Sequence, residues 1–537
     1  MRKFILFTFI FALFAVLHLY VVEKTDYFHF RSRADWHIVF TEDQGQMSMH
    51  WEKLPYPCLY RIEAFSQTTG LVEGGASYHV FYTDVTLKNH HLLPKTAIPM
   101  YYRLTAYGLF GRLTSPMVPK ASPLYGDPPT PTVISHYTEE NPGSRKPYLV
   151  WHTVPQAVCY EVEFLSALPE EEGGTAPSVR YHLASDDKIF TNGWQVDLDE
   201  LELPERFYWR VRALDLQRRP IGVFSKAEAL VTDAALPSPD RPLLNEFDKM
   251  SGEDVPLYPV YQWIPMHGVE RYEVELLVKP PKREHDATPS PDRAWHMVVS
   301  DSFSCYDEYP RPYAGPYYWR VRGIDEAGRT VGRYSDTAQF VVAERRQRSF
   351  AAAFGDSITH GGGALSYSPF NLEYNYTTYL DFPAVNLGRS GDTAHTSRLR
   401  FEDDVLPYHP RHLLILTGSN DLRSDLSAAA IIKELDAIGK KCRQHDIRPI
   451  FLTLMPLDPE NIERAFHTET DENWREKLRA VNAFIRQQDY FIDLEPYFYD
   501  ETGTRLDASF AIDGLHPDIR GKMLMAEIIN AHREKFR

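Results

Sequence analysis

The sequence predicts a multidomain chain in which three β-sandwich repeats precede an α/β/α domain built on a parallel sheet. Three observations predict it. A tryptophan followed nine residues later by a tyrosine recurs three times, as Trp51 and Tyr60, Trp151 and Tyr160, and Trp263 and Tyr272. From about residue 349 this pattern gives way to short apolar runs alternating with amphipathic stretches. At 537 residues the chain is also too long for one hydrophobic core, and about three or four domains is the ordinary expectation.

Residues 1–30 come first. Arg2 and Lys3 precede an apolar run over residues 4–22 that only His18 interrupts. A helix of that length spans ~28 Å, close to the hydrocarbon thickness of a bilayer. Positive charge ahead of the run keeps that end in the cytoplasm and exports the rest. A cleaved signal has a shorter apolar core and small residues at the cleavage site. Here the run ends in Leu19-Tyr20-Val21-Val22, so it reads as an N-terminal membrane anchor, with secretion the outcome if it is cleaved. The net charge of −16 argues against a nucleic-acid partner, because phosphate binding needs clustered positive charge.

The repeats are read over residues 32–122, 132–235 and 240–345. Each shared tyrosine opens an alternating run, Tyr60-Arg61-Ile62-Glu63, Tyr160-Glu161-Val162-Glu163 and Tyr272-Glu273-Val274-Glu275. Later come Tyr102-Arg103-Leu104, Trp209-Arg210-Val211 and Trp319-Arg320-Val321. Period-two alternation is the mark of a half-buried strand, apolar on one face and charged on the other. The tryptophans stand 100 and 112 residues apart, a spacing that suits seven-stranded sandwiches. In pattern the segment resembles the fibronectin type III fold, the first copy least closely, since Tyr102 stands where the others have tryptophan. Proline-rich stretches at 127–131 and 236–239 and a charged stretch at 345–348 mark the joints. Cys58, Cys159, Cys305 and Cys442 fall one to a domain and are read as buried, unpaired thiols. Most aromatic positions in the repeats read as core-facing, which makes a spacer the simplest role and leaves ligand binding as the alternative.

In the last domain, residues 349–537, the apolar runs at 350–354, 384–387, 412–416, 449–454 and 490–494 alternate with amphipathic stretches such as 427–445 and 474–488. That pattern indicates parallel strands covered on both faces, with a site beyond their C-terminal ends. Four segments sit there: Gly355-Asp356-Ser357-Ile358, Gly388-Arg389-Ser390-Gly391-Asp392, Gly418-Ser419-Asn420-Asp421 and Asp513-Gly514-Leu515-His516-Pro517. Each alone is a weak signal. Together, in this order, they resemble the SGNH (GDSL-type) serine hydrolases, with isoleucine where the family name has leucine. The resemblance covers about residues 349–537 and implies a flavodoxin-like fold and ester hydrolysis without a cofactor or metal.

The residues themselves support that chemistry. Ester hydrolysis needs a nucleophile, a base and donors for the oxyanion. Ser357, between a strand end and a helix, is the candidate nucleophile, and His516 is the candidate base. Asp513, three residues earlier, can reach the imidazole Nδ1 and fix its tautomer. The resemblance further implies an oxyanion hole made by the backbone N–H groups of Ser357 and Gly391 and the side-chain amide of Asn420.

Competing residues are set aside on chemistry. Ser390 lacks the Gly-x-Ser-x-Gly elbow of another hydrolase class. Asp356 and Asp421 read as loop braces. His360, His395, His409 and His412 lack carboxylate or cysteine partners at ligand spacing and read as solvated loop histidines. Asn375-Tyr376-Thr377 is a glycosylation sequon, meaningful only in a eukaryotic secretory route. The expectation is an extracytoplasmic, membrane-anchored esterase acting on short acyl esters, acetyl groups on a glycan among them. The alternatives are a lysophospholipase or thioesterase acting on lipid, and a surface adhesion or scaffold protein built on the sandwiches.

Overall fold

The computed structural model describes residues 31–537 apart from 33–35, 37, 44–45, 70–75, 94–99, 109–110, 115–117, 120–129, 155–156, 245–250, 253–254, 343–348 and 364–371. The anchor expected over residues 1–30, the first proline-rich joint up to residue 129 and the charged joint at 345–348 therefore lie outside the described residues. Among the described residues, no helix is long and apolar enough to cross a membrane.

The N-terminal two thirds is mostly antiparallel sheet, and the repeated tryptophan and tyrosine organise it. Trp51 packs its ring 5.3 Å from Tyr60, Trp151 lies 5.2 Å from Tyr160, and Trp263 lies 5.3 Å from Tyr272. Each tyrosine hydroxyl then accepts the backbone N–H six residues back, from Leu54 at 3.1 Å, Val154 at 2.9 Å and Met266 at 2.8 Å. The nine-residue spacing is thus a closed device. The ring fills the core while its hydroxyl satisfies an otherwise orphaned donor in the connection leading to it. The cross-strand register recurs as well, with Tyr60 opposite Ala106, Tyr160 opposite Ala213 and Tyr272 opposite Gly323. Tyr102, Trp209 and Trp319 are buried in the corresponding cores, and all four cysteines are buried and unpaired.

The charged face of these strands differs from expectation. Alternation predicts a solvated arginine face, yet Arg210 and Arg320 are each only 1% exposed. Arg210 donates to Glu163 at 2.7 Å and Arg320 to Glu275 at 2.8 Å, while Arg212 pairs with Glu161 and Arg322 with Glu273. The cover comes from connections that fold back over the strands. Ala176 and Thr288 offer carbonyls to Arg210 and Arg320, each at 3.2 Å, and the rings of Phe224 and Tyr334 stack on the same guanidinium groups. Alternation alone cannot distinguish a wet charged face from one roofed by a loop.

The C-terminal region is a five-stranded parallel sheet. Its strands, in chain order Ala351–Gly355, Ala384–Gly388, His412–Leu416, Arg448–Leu452 and Phe491–Ile492, lie side by side in the order 2-1-3-4-5. The first three are almost wholly apolar and buried, as strands covered on both faces must be. Helix Ala428–Gln444, capped by Ser427, turns Ile431, Leu435, Ile438 and Cys442 onto the sheet. The reversal of strand order between the first and third strands makes a crevice at their C-terminal ends. Leu257 and Tyr258, far earlier in the chain, join this same hydrophobic core.

The buried ion pairs yield a first prediction. Arg210→Met leaves the buried Glu163 carboxylate with only the Ser178 N–H and the partly exposed His182 as partners, and lowers stability by about 1.5–3 kcal/mol. Urea denaturation followed by tryptophan fluorescence reads this as a lower midpoint, and apolar replacement of both Arg210 and Glu163 recovers much of it. An unchanged midpoint for the single variant contradicts the buried pair.

Candidate active site

Strand Ala351–Gly355 ends at the crevice, and the chain turns directly into the four-residue helix Ser357–His360. Asp356 caps that helix, its carboxylate accepting the Ile358 N–H at 3.1 Å. Full burial pushes the Asp356 carboxyl up to about 6. Ser357 is 9% exposed, and its Oγ lies 2.8 Å from His516 Nε2. On the far side of the ring, Nδ1 lies 2.8 Å from Asp513 Oδ2. The other Asp513 oxygen accepts the backbone N–H groups of Leu515 at 2.9 Å and His516 at 2.7 Å. An ionised carboxylate only accepts, so Nδ1 carries the proton and Nε2 is left to receive one from the serine. The turn that makes this clamp needs Gly514, whose φ is +78° and where a Cβ would fall 2.4 Å from the Asp458 carbonyl. Phe466 meets the imidazole edge-on at 5.7 Å and fixes its plane.

The two other expected residues lie on the loops after the second and third strands. Gly391 has φ +83° and open space where a side chain would stand. Asn420 is the second residue of helix Ser419–Arg423, and its Nδ2 donates to the Asp392 carbonyl at 2.9 Å. An amide has two hydrogens, so one remains for a ligand. Asp421 braces the neighbouring loop by accepting the Ala394 N–H at 2.9 Å.

Sequence reasoning missed the groups that hold these loops together. Arg400, 7% exposed, donates to the Gly355 carbonyl at 3.0 Å, the Leu387 carbonyl at 2.8 Å, Asp404 at 2.9 Å and the Asp392 carboxylate. Tyr258 donates its hydroxyl to Asp404 at 2.6 Å. His360 was expected in solvent but is 1% exposed, its Nε2 donating to the Tyr258 carbonyl at 2.6 Å and its Nδ1 accepting the Ser390 N–H at 3.1 Å. Burial drives its pKa down to about 4, which keeps this acceptor available. His412 is likewise buried, against Phe350 and Phe536, whereas His395 and His409 are exposed as expected. The sequon asparagine, Asn375, is 3% exposed and accepts a hydrogen bond from Asn386 at 2.7 Å, so a glycan cannot be attached in the folded chain. Lys522 is fully buried beneath the site and donates to the Ile358 carbonyl, and loss of hydration pulls its pKa down to about 7. Among the described residues, one trio has the spacing to hold a metal ion, Asp197, Glu200 and His267, all within the repeats.

Chemically, this is a hydroxyl whose proton can pass to an oriented imidazole as the oxygen attacks an electrophile, with neutral donors on neighbouring loops. Residues 353–524 match the GDSL-like lipase/acylhydrolase family. An uncharacterized lipoprotein of Bacillus subtilis, YqeF, is 30% identical over 132 residues, which are 22% of this chain and 54% of the relative. The chain therefore spans about half the length of that relative. An acetylxylan esterase of Geobacillus stearothermophilus is 24% identical over 172 residues, 31% of this chain and 78% of its own. Among solved structures, a lipase/acylhydrolase from Enterococcus faecalis aligns with 21% identity and a TM-score of 0.29, covering 35% of this chain and 96% of that one.

The buried lysine gives a prediction with a definite sign. Its folded pKa lies near 7, below the ordinary 10.5, so between those values the unfolded chain binds the extra proton. Raising the pH through that window therefore stabilises the fold. Urea midpoints measured at intervals from pH 7 to pH 10 should climb for the native chain relative to Lys522→Met. A constant difference between the two across the window refutes a neutral buried lysine.

Proposed function

We propose, from the match of residues 353–524 to the GDSL-like lipase/acylhydrolase family, that the chain is a carboxylic ester hydrolase working through an acyl-enzyme on Ser357. The observation that carries this reading is the unbroken hydrogen-bonded line from Ser357 through His516 to Asp513, with both links at 2.8 Å. Ser357 Oγ attacks the acyl carbon while its proton passes to His516 Nε2. Asp513 stabilises the imidazolium and does not itself become protonated. The oxyanion is met by the N–H groups of Ser357 and Gly391 and by the free Asn420 amide hydrogen. As the tetrahedral adduct collapses, the ester C–O bond breaks and the departing alcohol takes the proton from His516. Water, deprotonated by the same imidazole, then attacks the acyl-serine and releases the acid.

The preferred substrates are short acyl esters, acetyl groups on a polysaccharide foremost, as the name of the Geobacillus relative suggests. The chain acts outside the cytoplasm, held by the apolar helix expected in residues 1–30, a placement that the lipoprotein name of the Bacillus relative supports. Residues 32–122, 132–235 and 240–345 are three fibronectin III-like sandwiches, and 349–537 is the catalytic domain. Recurrence of the tryptophan–tyrosine contact and of the strand register supports that division.

Hydrolysis of p-nitrophenyl acetate by the full chain tests the reading. Ser357→Ala should abolish turnover. Asn420→Ala should lower kcat by about 10²–10³-fold, as loss of one oxyanion donor does. An alanine variant at 357 as active as the parent would falsify the assignment of the nucleophile.

A further inference from the structure

Large aromatic side chains stand exposed at six positions among the described residues: Tyr56, Phe190, Tyr306, Tyr309, Tyr313 and Tyr497. Three of the six fall on one eight-residue segment of the third repeat, Tyr306-Asp307-Glu308-Tyr309-Pro310-Arg311-Pro312-Tyr313. They are 44%, 57% and 79% exposed. Single exposed aromatics are ordinary, but three on so short a stretch are not explained by folding.

The segment abuts the active site. The Tyr306 ring lies 6.2 Å from that of His360, one turn along the helix that Ser357 begins. Its hydroxyl lies near the Ser390 side chain, next to Gly391. Chain reach places Tyr309 within ~11 Å and Tyr313 within ~25 Å of Tyr306.

The segment is also held rigidly. Asp307, 3% exposed, receives two parallel hydrogen bonds from Arg311, at 2.7 and 2.8 Å. The same carboxylate accepts from the Tyr261 hydroxyl at 2.9 Å and from the Tyr309 N–H at 3.0 Å. The Arg311 N–H donates to the Leu257 carbonyl at 2.8 Å, beside the residue that enters the catalytic core. The tyrosines are thereby presented on a braced support, which limits the ordering that binding would require.

We propose that Tyr306, Tyr309 and Tyr313 form a carbohydrate-binding rim on which the sugar chain of an esterified polysaccharide lies while its acyl group enters the crevice. The proposal rests on the esterase reading and names the substrate class of that same site. The composition of the rim selects the occupant. A lipid chain needs a continuous apolar surface, whereas here the exposed carboxylate of Glu308 stands between Tyr306 and Tyr309 in the chain. A sugar ring offers C–H groups to an aromatic face and hydroxyls to the Glu308 carboxylate and the phenol groups, and tyrosine serves both needs. Tyr306 would lie nearest the scissile ester, with the other two gripping sugars further along.

The test uses the full chain and acetylated xylan. In Tyr309→Ala/Tyr313→Ala, the ratio of kcat/KM on acetylated xylan to kcat/KM on p-nitrophenyl acetate should fall by about five- to ten-fold, the scale of a lost aromatic contact. Affinity electrophoresis reads binding directly. The Ser357→Ala chain, which cannot consume the ester, should be retarded in gels containing acetylated xylan, and the two tyrosine changes should release it. An unchanged ratio, or no retardation of the Ser357→Ala chain, overturns the rim and leaves the esterase standing. A preference for p-nitrophenyl palmitate over the acetate that the tyrosine changes abolish assigns the segment to a lipid chain and overturns it too. Absence of any turnover on p-nitrophenyl acetate by the parent strikes instead at the esterase reading.

Discussion

The buried guanidinium of Arg400 is the contact through which the site holds together. Taking such a group out of water costs several kcal/mol, and only complete pairing offsets that cost. Arg400 is offered two backbone carbonyls and two carboxylates, with the rings of Phe354 and Tyr258 at 4.3 and 5.6 Å. One carbonyl belongs to Gly355, two residues before the serine, and the other to Leu387, on the strand that leads into the Gly391 loop. A buried ion pair seldom outperforms a well-packed apolar core in stability. Its contribution here is positional. The ends of two adjacent strands are tied to a single planar group, so Ser357 and the Gly391 loop cannot drift independently.

The same logic reaches outside the sheet. Tyr258 grips the assembly twice, through its hydroxyl on Asp404 and through its carbonyl on His360. Neighbouring domains in one chain commonly meet across modest polar interfaces and move relative to one another. Here Leu257 and Tyr258 are part of the catalytic core, so separating the third repeat from the sheet would expose apolar surface and unpair a buried charge network. A spacer role describes this repeat incompletely. The buried Glu–Arg pairs within the second and third repeats fit the same picture, since they join loop to sheet and stiffen the support on which the site is carried.

What could be read from sequence was whatever depends on short-range spacing. The tryptophan and tyrosine nine residues apart report a ring contact and a hydroxyl bond made within one local turn. Asp513 and His516 are three residues apart and close their own clamp, and the apolar runs announce a parallel sheet whatever lies around it. What escaped depends on partners far along the chain. Nothing around Arg400 distinguishes it from a surface arginine until Leu387, Gly355 and Asp392 are brought to it. His360 looks like a loop histidine because its burial is supplied by Tyr258, 102 residues earlier. Asn375 satisfies a sequon by composition while Asn386 occupies its side chain. The roofed arginine faces escaped for the same reason, since a strand's periodicity records that two faces differ and not what covers either one.

The helix that bears Ser357 shows why a short motif is weak evidence until its surroundings are known. Four residues are too few to form a helix by themselves, because nucleation costs more than one turn of hydrogen bonds returns. Three backbone bonds close the turn, His360 N–H to the Asp356 carbonyl at 2.9 Å and the Gly361 and Gly362 N–H groups to the Ser357 carbonyl at 3.1 and 2.8 Å. Side chains supply the rest. Asp356 caps the first turn, Lys522 takes the Ile358 carbonyl and His360 reaches to Tyr258. Burial pushes Asp356 and Lys522 each toward its neutral form, while the Asp356 carboxyl pulls Lys522 partway back toward charge. The turn is therefore fixed jointly by its own backbone and by groups drawn from residues 258, 356 and 522. A serine held this way needs little reorganisation when a ligand arrives, which is the condition for a serine and a histidine to act as a pair.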